Sequence, residues 1–191
     1  MITEIDKNTA LILIDLQKGV LAIPSLLHPL KDILENSTLL IDAFRKTGLP
    51  IVIVNVNPAG ASWTKARKDS AAVQSIATPM ADFADIADEI KTQPTDIFIT
   101  KKTWNAFYNT SLHEELQRRN ITGIVLGGVS TSAGVEGTAR AASELGYNIS
   151  FATDAMTDRN AEAHHNSIQN IFPRLGESGM SSDVIEKLKI V

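Results

Sequence analysis

Asp15 is the first residue whose type and place suggest chemistry, because it closes an apolar run, residues 9–16 (TALILIDL). A carboxylate among apolar neighbours is partly desolvated, which raises its pKa unless a cation stands close. Lys101, just past another run at residues 96–100 (DIFIT), can supply that cation. Together the two would make a poised pair suited to general acid–base work. A third feature is the stretch 124–140, IVLGGVSTSAGVEGTAR. Its apolar run ends in Gly127 and Gly128, then turns through Ser130, Thr131, Ser132, Ala133 and Gly134 into a helical pattern. A helix N-terminus reached this way has backbone N–H groups without intrahelical acceptors, suited to a carboxylate, an oxyanion or a phosphate. Asp154 closes a further run, residues 147–153.

Each feature has a plainer reading. Asp15 can merely cap the turn after its strand while Lys101 is solvated, and Lys102 is an adjacent competitor read as surface. Ser130, Thr131 and Ser132 are candidate nucleophiles, but small hydroxyl residues ahead of a helix commonly serve as caps. No histidine lies near them in sequence to act as their base. His164 and His165 share a helical pattern with Ile168 and Phe172, so one should face the core and the other solvent, both structural. His28 and His113 have no partners at metal-ligand spacing, and HxH, HxxxH and DxH patterns do not occur, so no metal site is expected. Trp63 and Trp104 can close over a planar substrate or fill the edge of the core; Trp104 stands three residues from Lys101. The Gly127-Gly128 pair alone is too weak to indicate a phosphate loop.

The elements that must position these residues alternate in type. Unbroken apolar runs at 9–16, 51–56, 96–100, 121–126 and 147–153 read as buried parallel strands, with a short sixth near 175–178. Between them, Leu30, Ile33, Leu34, Leu40, Ile41 and Phe44 recur at helical spacing up to Gly48-Leu49-Pro50. Ser111 with Glu114 has capping-box spacing ahead of Leu112 and Leu116. Val135, Ala139, Ala142 and Leu145 give the next helix a buried face, with Gly146 as its C′ residue. Asn160 can cap a helix ended by Pro173, and a last helix starts near Ser182. This alternation predicts an α/β fold: a three-layer, Rossmann-like, six-stranded mostly parallel sheet with helices on both faces. Ligands in such sheets bind outside the carboxyl ends of the strands, where Asp15, Lys101, the Ser130–Gly134 turn and Asp154 all fall. Residues 57–95 show little regular pattern beyond charges at Lys65 to Asp69 and a weakly helical acidic stretch at 81–90. Such a segment inside a compact domain is read as a functional lid or a linker.

Composition narrows the classes. A length of 191 residues is read as one domain, residues 1–191. The formal charge of −4 argues against nucleic acid or an anionic membrane as the main partner. No apolar run approaches membrane-spanning length and the N-terminus has no signal pattern, so a cytoplasmic protein is expected. The chain has no cysteine, which excludes disulfides, thiolate metal sites and a thiol nucleophile together.

At these residues the sequence resembles the isochorismatase-like hydrolases, often called cysteine hydrolases. The similarity runs nearly end to end, through ALILIDLQ at 10–17, KKTWNAFYNTSL at 101–112, GGVSTSAGVEGTARAA at 127–142 and TDA at 153–155. The resemblance implies a six-stranded parallel sheet with Asp15 as the catalytic aspartate and Lys101, six residues before Phe107, as the catalytic lysine. It also implies a cis peptide between Val129 and Ser130, and substrate contacts from Ser130, Thr131, Ala133, Trp104 and Phe107. Gly134 occupies the position of the nucleophilic cysteine of the family's amidases, so the covalent thioester route is closed. The Asp-x-His metal pattern of nicotinamidases is absent from NVNPAGASW at 55–63. True isochorismatases likewise carry glycine in place of the cysteine, and cleave a vinyl ether by protonating its enol carbon. The resemblance therefore implies a cofactor-free hydrolase of a small carboxylate-bearing molecule, assembled as a homo-oligomer (dimer or tetramer). Two alternatives stay open: a catalytically silent binding protein on the same fold, and an amidase using a hydroxyl of residues 130–132.

Overall fold

An unbroken apolar strand is stable only where both faces of the sheet are covered, and the computed structural model, which describes residues 1–61 and 81–189, shows how this chain covers them. In chain order the elements are β1 (Thr9–Ile14), α1 (Lys18–Leu21), α2 (Leu30–Thr47), β2 (Ile51–Val56), β3 (Ile97–Lys101) and α3 (Leu112–Arg118). They continue with β4 (Gly123–Val129), a π-helical turn (Thr131–Val135) leading into α4 (Glu136–Glu144), β5 (Asn148–Thr157), α5 (Ala161–Asn166), β6 (Glu177–Gly179) and α6 (Ser181–Leu188). Every residue of β1 is buried. Leu11 and Leu13 pack with Ile33, Leu40 and Phe44 of α2 and with Val184 and Leu188 of α6. Ala10, Ile12 and Ile14 pack on the other face with Leu112 and Leu116 of α3 and Ala139 and Ala142 of α4. The period of two thus splits one apolar run between two cores.

The sheet order is β3-β2-β1-β4-β5-β6. Every strand pairing is parallel, where a mostly parallel sheet was expected. The chain winds outward from β1 to β3, then returns to β4 on the far side of β1, so the winding reverses between β1 and β4. Asp15 follows β1 and the Ser130–Gly134 turn follows β4, which puts both at the switch point where doubly wound sheets leave a crevice. The two strands are held close: an added Cβ on Gly128 would lie 2.1 Å from the Ile14 carbonyl oxygen, so only glycine fits there.

Several elements differ from the sequence reading. Lys101 is the last residue of β3 rather than the first beyond it. β5 does not stop before Asp154 but runs on to Thr157. Asp154 therefore leaves the site: its carboxylate accepts hydrogen bonds from the Ser181 N–H (2.6 Å) and Oγ (2.7 Å), capping α6. Ser111 precedes α3 but makes no side-chain cap, and Leu145 is exposed where a buried face was expected. Asn160 does cap α5, accepting from the Ala163 N–H. Trp63 and the charges from Lys65 to Asp69 lie outside the described residues.

The acidic stretch at 81–90 forms turns, not a helix, and is strapped across the end of β1. Lys18 N–H donates to the Asp85 carbonyl, Gly19 N–H to the Phe83 carbonyl and Ala87 N–H to the Leu16 carbonyl. Fully buried Gln17 binds the strap to β2, donating to the carbonyls of Val56 (3.0 Å) and Phe83 (2.7 Å) and accepting from the Val56 N–H (2.6 Å). Phe83 lies so close that a Cβ on Gly19 would sit 2.1 Å from its ring. Gly19→Ala is therefore expected to lever the strap away and cost about 1–3 kcal/mol, the usual range for overpacking. A urea midpoint lowered without change of slope would show it, and an unchanged midpoint would mean that the ring yields freely.

Candidate active site

The Asp15 backbone is turned out of the strand direction by a left-handed conformation (φ 52°), which aspartate tolerates better than most residues. Its N–H still bonds to the Val54 carbonyl at 2.9 Å, anchoring it to β2. From the neighbouring β3, Lys101 sends its Nζ to Asp15 Oδ2 at 2.7 Å and to the Thr103 carbonyl at 3.1 Å. The side chains of the pair are only 1% and 7% exposed. Asp15 Oδ1 is also buried, and among the described residues it meets no hydrogen-bond partner. Burial pushes the Asp15 carboxyl up to about 6, against the opposing pull of the Lys101 charge and hydrogen bond. A carboxyl in that range can hold or release a proton near neutral pH, as acid–base work requires.

Gly134 closes the third side. A Cβ built on it would meet Ile14 Cγ2 at 2.8 Å, Asp15 Oδ2 at 3.4 Å and the Val129 carbonyl oxygen at 3.4 Å. A side chain at 134 would thus start in contact with the carboxylate oxygen that Lys101 holds. The peptide between Val129 and Ser130 is cis. The turn offers a ligand fewer donors than a bare helix N-terminus. The amides of Ala133 and Val135 donate to the Ser130 carbonyl, and that of Ser132 donates to Asp158 Oδ2 at 2.8 Å.

Two side chains expected at the substrate are turned elsewhere. Phe107 stacks on Tyr147 (centroids 5.9 Å apart) and meets the edge of His113; Tyr147 precedes β5, so this ring lies at the amino end of the sheet. It turns that way because the Asn105 side chain accepts the Phe107 N–H and buried Ala106 N–H is held by Thr138. Thr131 is fully buried, its hydroxyl donating to the Thr157 carbonyl at 3.1 Å and meeting His164 Nδ1 at 2.9 Å. The fold thus supplies a histidine beside the hydroxyl turn, which sequence distance had hidden. The Thr131 hydroxyl has a single proton to share between the Thr157 carbonyl and His164 Nδ1. Trp104 lies at the rim, 59% exposed, its Cβ against Gly137 one turn beyond Gly134. His165 is exposed and His164 buried. No cluster of three or more potential metal ligands occurs among the described residues. Nor is any described helix long and apolar enough to cross a membrane.

Asp158 and Gln17 are the functional-site neighbours that sequence reasoning missed. A strand that must reach the Asn160 cap has room to continue past Asp154, which was the available signal for Asp158. For Gln17 the signal was a polar residue two positions beyond Asp15 in an otherwise apolar setting.

The fold is thus a doubly wound α/β sheet with a buried Asp15–Lys101 pair at its switch point. The sequence model of the isochorismatase domain matches residues 9–181, and the chain belongs to the isochorismatase family of hydrolases. It is 40% identical to the uncharacterized isochorismatase family protein YwoC of Bacillus subtilis, over 96% of this chain and 95% of that one. It is 29% identical to nicotinamidase 3 of Arabidopsis thaliana, over 86% and 81% of the two chains. An isochorismatase family protein from Burkholderia thailandensis superposes with a TM-score of 0.90 at 32% identity, covering 99% of this chain and 100% of that one.

Proposed function

We propose that this chain hydrolyses a vinyl-ether-type C–O bond in a small, carboxylate-bearing molecule, with Asp15 as general acid–base and no covalent intermediate. The observation that carries this reading is the Asp15–Lys101 contact of 2.7 Å beside a residue 134 that has no side chain. With no cysteine in the chain, the space next to Asp15 Oδ2 is free of a nucleophile. Protonated Asp15 would give its proton to the enol carbon, leaving a carboxylate that Lys101 Nζ stabilises. Water then attacks the oxocarbenium carbon, and the hemiketal collapses to a carbonyl compound and an alcohol. The loss of one proton from the water restores Asp15, so the step balances without a cofactor. The Ser130–Gly134 turn is assigned the substrate's carboxylate, with Trp104 at the rim.

An amidase built on residues 130–132 has less support, since the hydroxyls of Thr131 and Ser132 are both committed to protein acceptors. The reading is tested by incubating the protein with enol ethers of small hydroxy acids in D2O. Solvent deuterium should appear on the former enol carbon of the product, with no mass adduct on the protein. Hydrolysis of amides or esters through a trapped acyl-enzyme, with enol ethers untouched, would overturn it.

A further inference from the structure

Asp158 stands one residue beyond β5, where the register Thr157↔Val129 brings it alongside the turn. It is 4% exposed, and among the described residues no cation pairs with it. Its charge is instead met by four donors. Oδ2 accepts from the Ser132 N–H and the Ser132 Oγ, both at 2.8 Å. Oδ1 accepts from the N–H of Arg159 (2.7 Å) and of Asn160 (3.1 Å). A buried carboxylate with every lone-pair direction used fixes the groups around it, because moving any of them strands a buried charge or donor. The two groups it joins are the loop after β5 and the turn that carries Gly134.

We infer that Asp158 is a positioning residue of the active site: a resident anion that takes the Ser132 donors for itself and so fixes where the rest of the turn meets Asp15 and Lys101. Ser132 is then no substrate ligand. The donors left to the substrate are set by the tilt of the turn, which Asp158 holds from behind. Catalytic geometry of this kind is sensitive, and a displacement of about 1 Å is worth roughly 10²-fold in rate. The inference rests on the function proposed above for the same site.

The test compares the full-length wild type with Asp158→Asn, Asp158→Glu and Ser132→Ala. Hydrogen exchange of the Ser132 and Gly134 amides is followed by NMR, and kcat and KM are measured on an enol ether that the wild type cleaves. Asparagine can accept at one oxygen only, so either Ser132 or the 159–160 amides lose their partner. Asp158→Asn should speed exchange at Ser132 and Gly134 by at least roughly tenfold and lower kcat by 10–100-fold, with KM changed far less. Asp158→Glu should restore part of kcat, and Ser132→Ala, which keeps the amide bond, should cost only a few-fold. A folded Asp158→Asn with wild-type kcat would overturn the inference even if its unfolding midpoint fell, since that is a stability role alone. If Asp158→Asn does not fold, Ser132→Ala decides: unchanged exchange at Gly134 and unchanged kcat would sink it. Should the wild type cleave no enol ether, the reading of function fails separately, and the exchange data still judge Asp158.

Discussion

Asp15→Asn should lower kcat/KM on any substrate by 10²–10⁴-fold, the usual worth of a positioned acid or base. The pH profile of the unchanged enzyme then decides which of the two Asp15 is. Burial sets its carboxyl at about 6 in the native protein. If Asp15 gives a proton to carbon, only the protonated form is active, so kcat/KM should be level below about pH 6 and fall tenfold per pH unit above it. Between pH 6 and pH 8 the loss would be on the order of 100-fold. If Asp15 instead takes a proton from water, the dependence is reversed and activity rises through the same midpoint. A profile with no inflection between pH 5 and 7, or Asp15→Asn retaining activity within about tenfold, would remove the residue from both roles.

Much of this site was legible because physical rules tie residue type to place. A carboxylate at the end of a strand buried on both faces tends to the sheet's rim, which made Asp15 a candidate from its run; Lys101, at the end of the half-exposed β3, was a weaker one, and the resemblance gave both their roles. The strand turning directly into a helix placed the 130–134 stretch at the same rim, and the resemblance to the family singled out Gly134 within it. Side-chain direction in irregular segments was not legible. Phe107 sits in the KKTWNAF stretch beside Lys101, yet local bonds from Asn105 and Thr138 turn it to the opposite end of the sheet. The exchange of Asp154 for Asp158 has a similar origin. A carboxylate inside a strand is unfavourable unless something distant satisfies it, and the N-terminus of α6, 27 residues on, does so. Capping-box spacing at Ser111 misled because spacing alone does not say whether the side chain turns back.

The charge pair should also show in stability, with a sign that depends on pH. The Asp15 carboxyl is raised from 3.8 to about 6, so the native state binds this proton more tightly than the unfolded chain. Its contribution is therefore fully present below about pH 4 and is lost as pH rises through 6, a change of roughly 3 kcal/mol by linkage. Lys101→Met removes the cation that restrains this shift, and the Asp15 midpoint should climb further above 6. At pH 8 the variant must either bury an unpaired carboxylate or take up a proton against the solution. A loss of about 3–5 kcal/mol is expected there, the cost of breaking a buried pair, and a much smaller loss at pH 5, where the carboxyl is neutral. Asp15→Asn alone leaves the Lys101 ammonium with only neutral acceptors, so it too should be destabilised. Asp15→Asn combined with Lys101→Met leaves neither charge, and should recover most of the loss, since neutral replacement of a buried pair is often close to costless. Urea midpoints of the four proteins at pH 5 and pH 8 test this directly. A double variant no more stable than Lys101→Met at pH 8 would mean that the two groups are not energetically coupled, and the acid–base pair on which the proposed chemistry depends would have no physical basis.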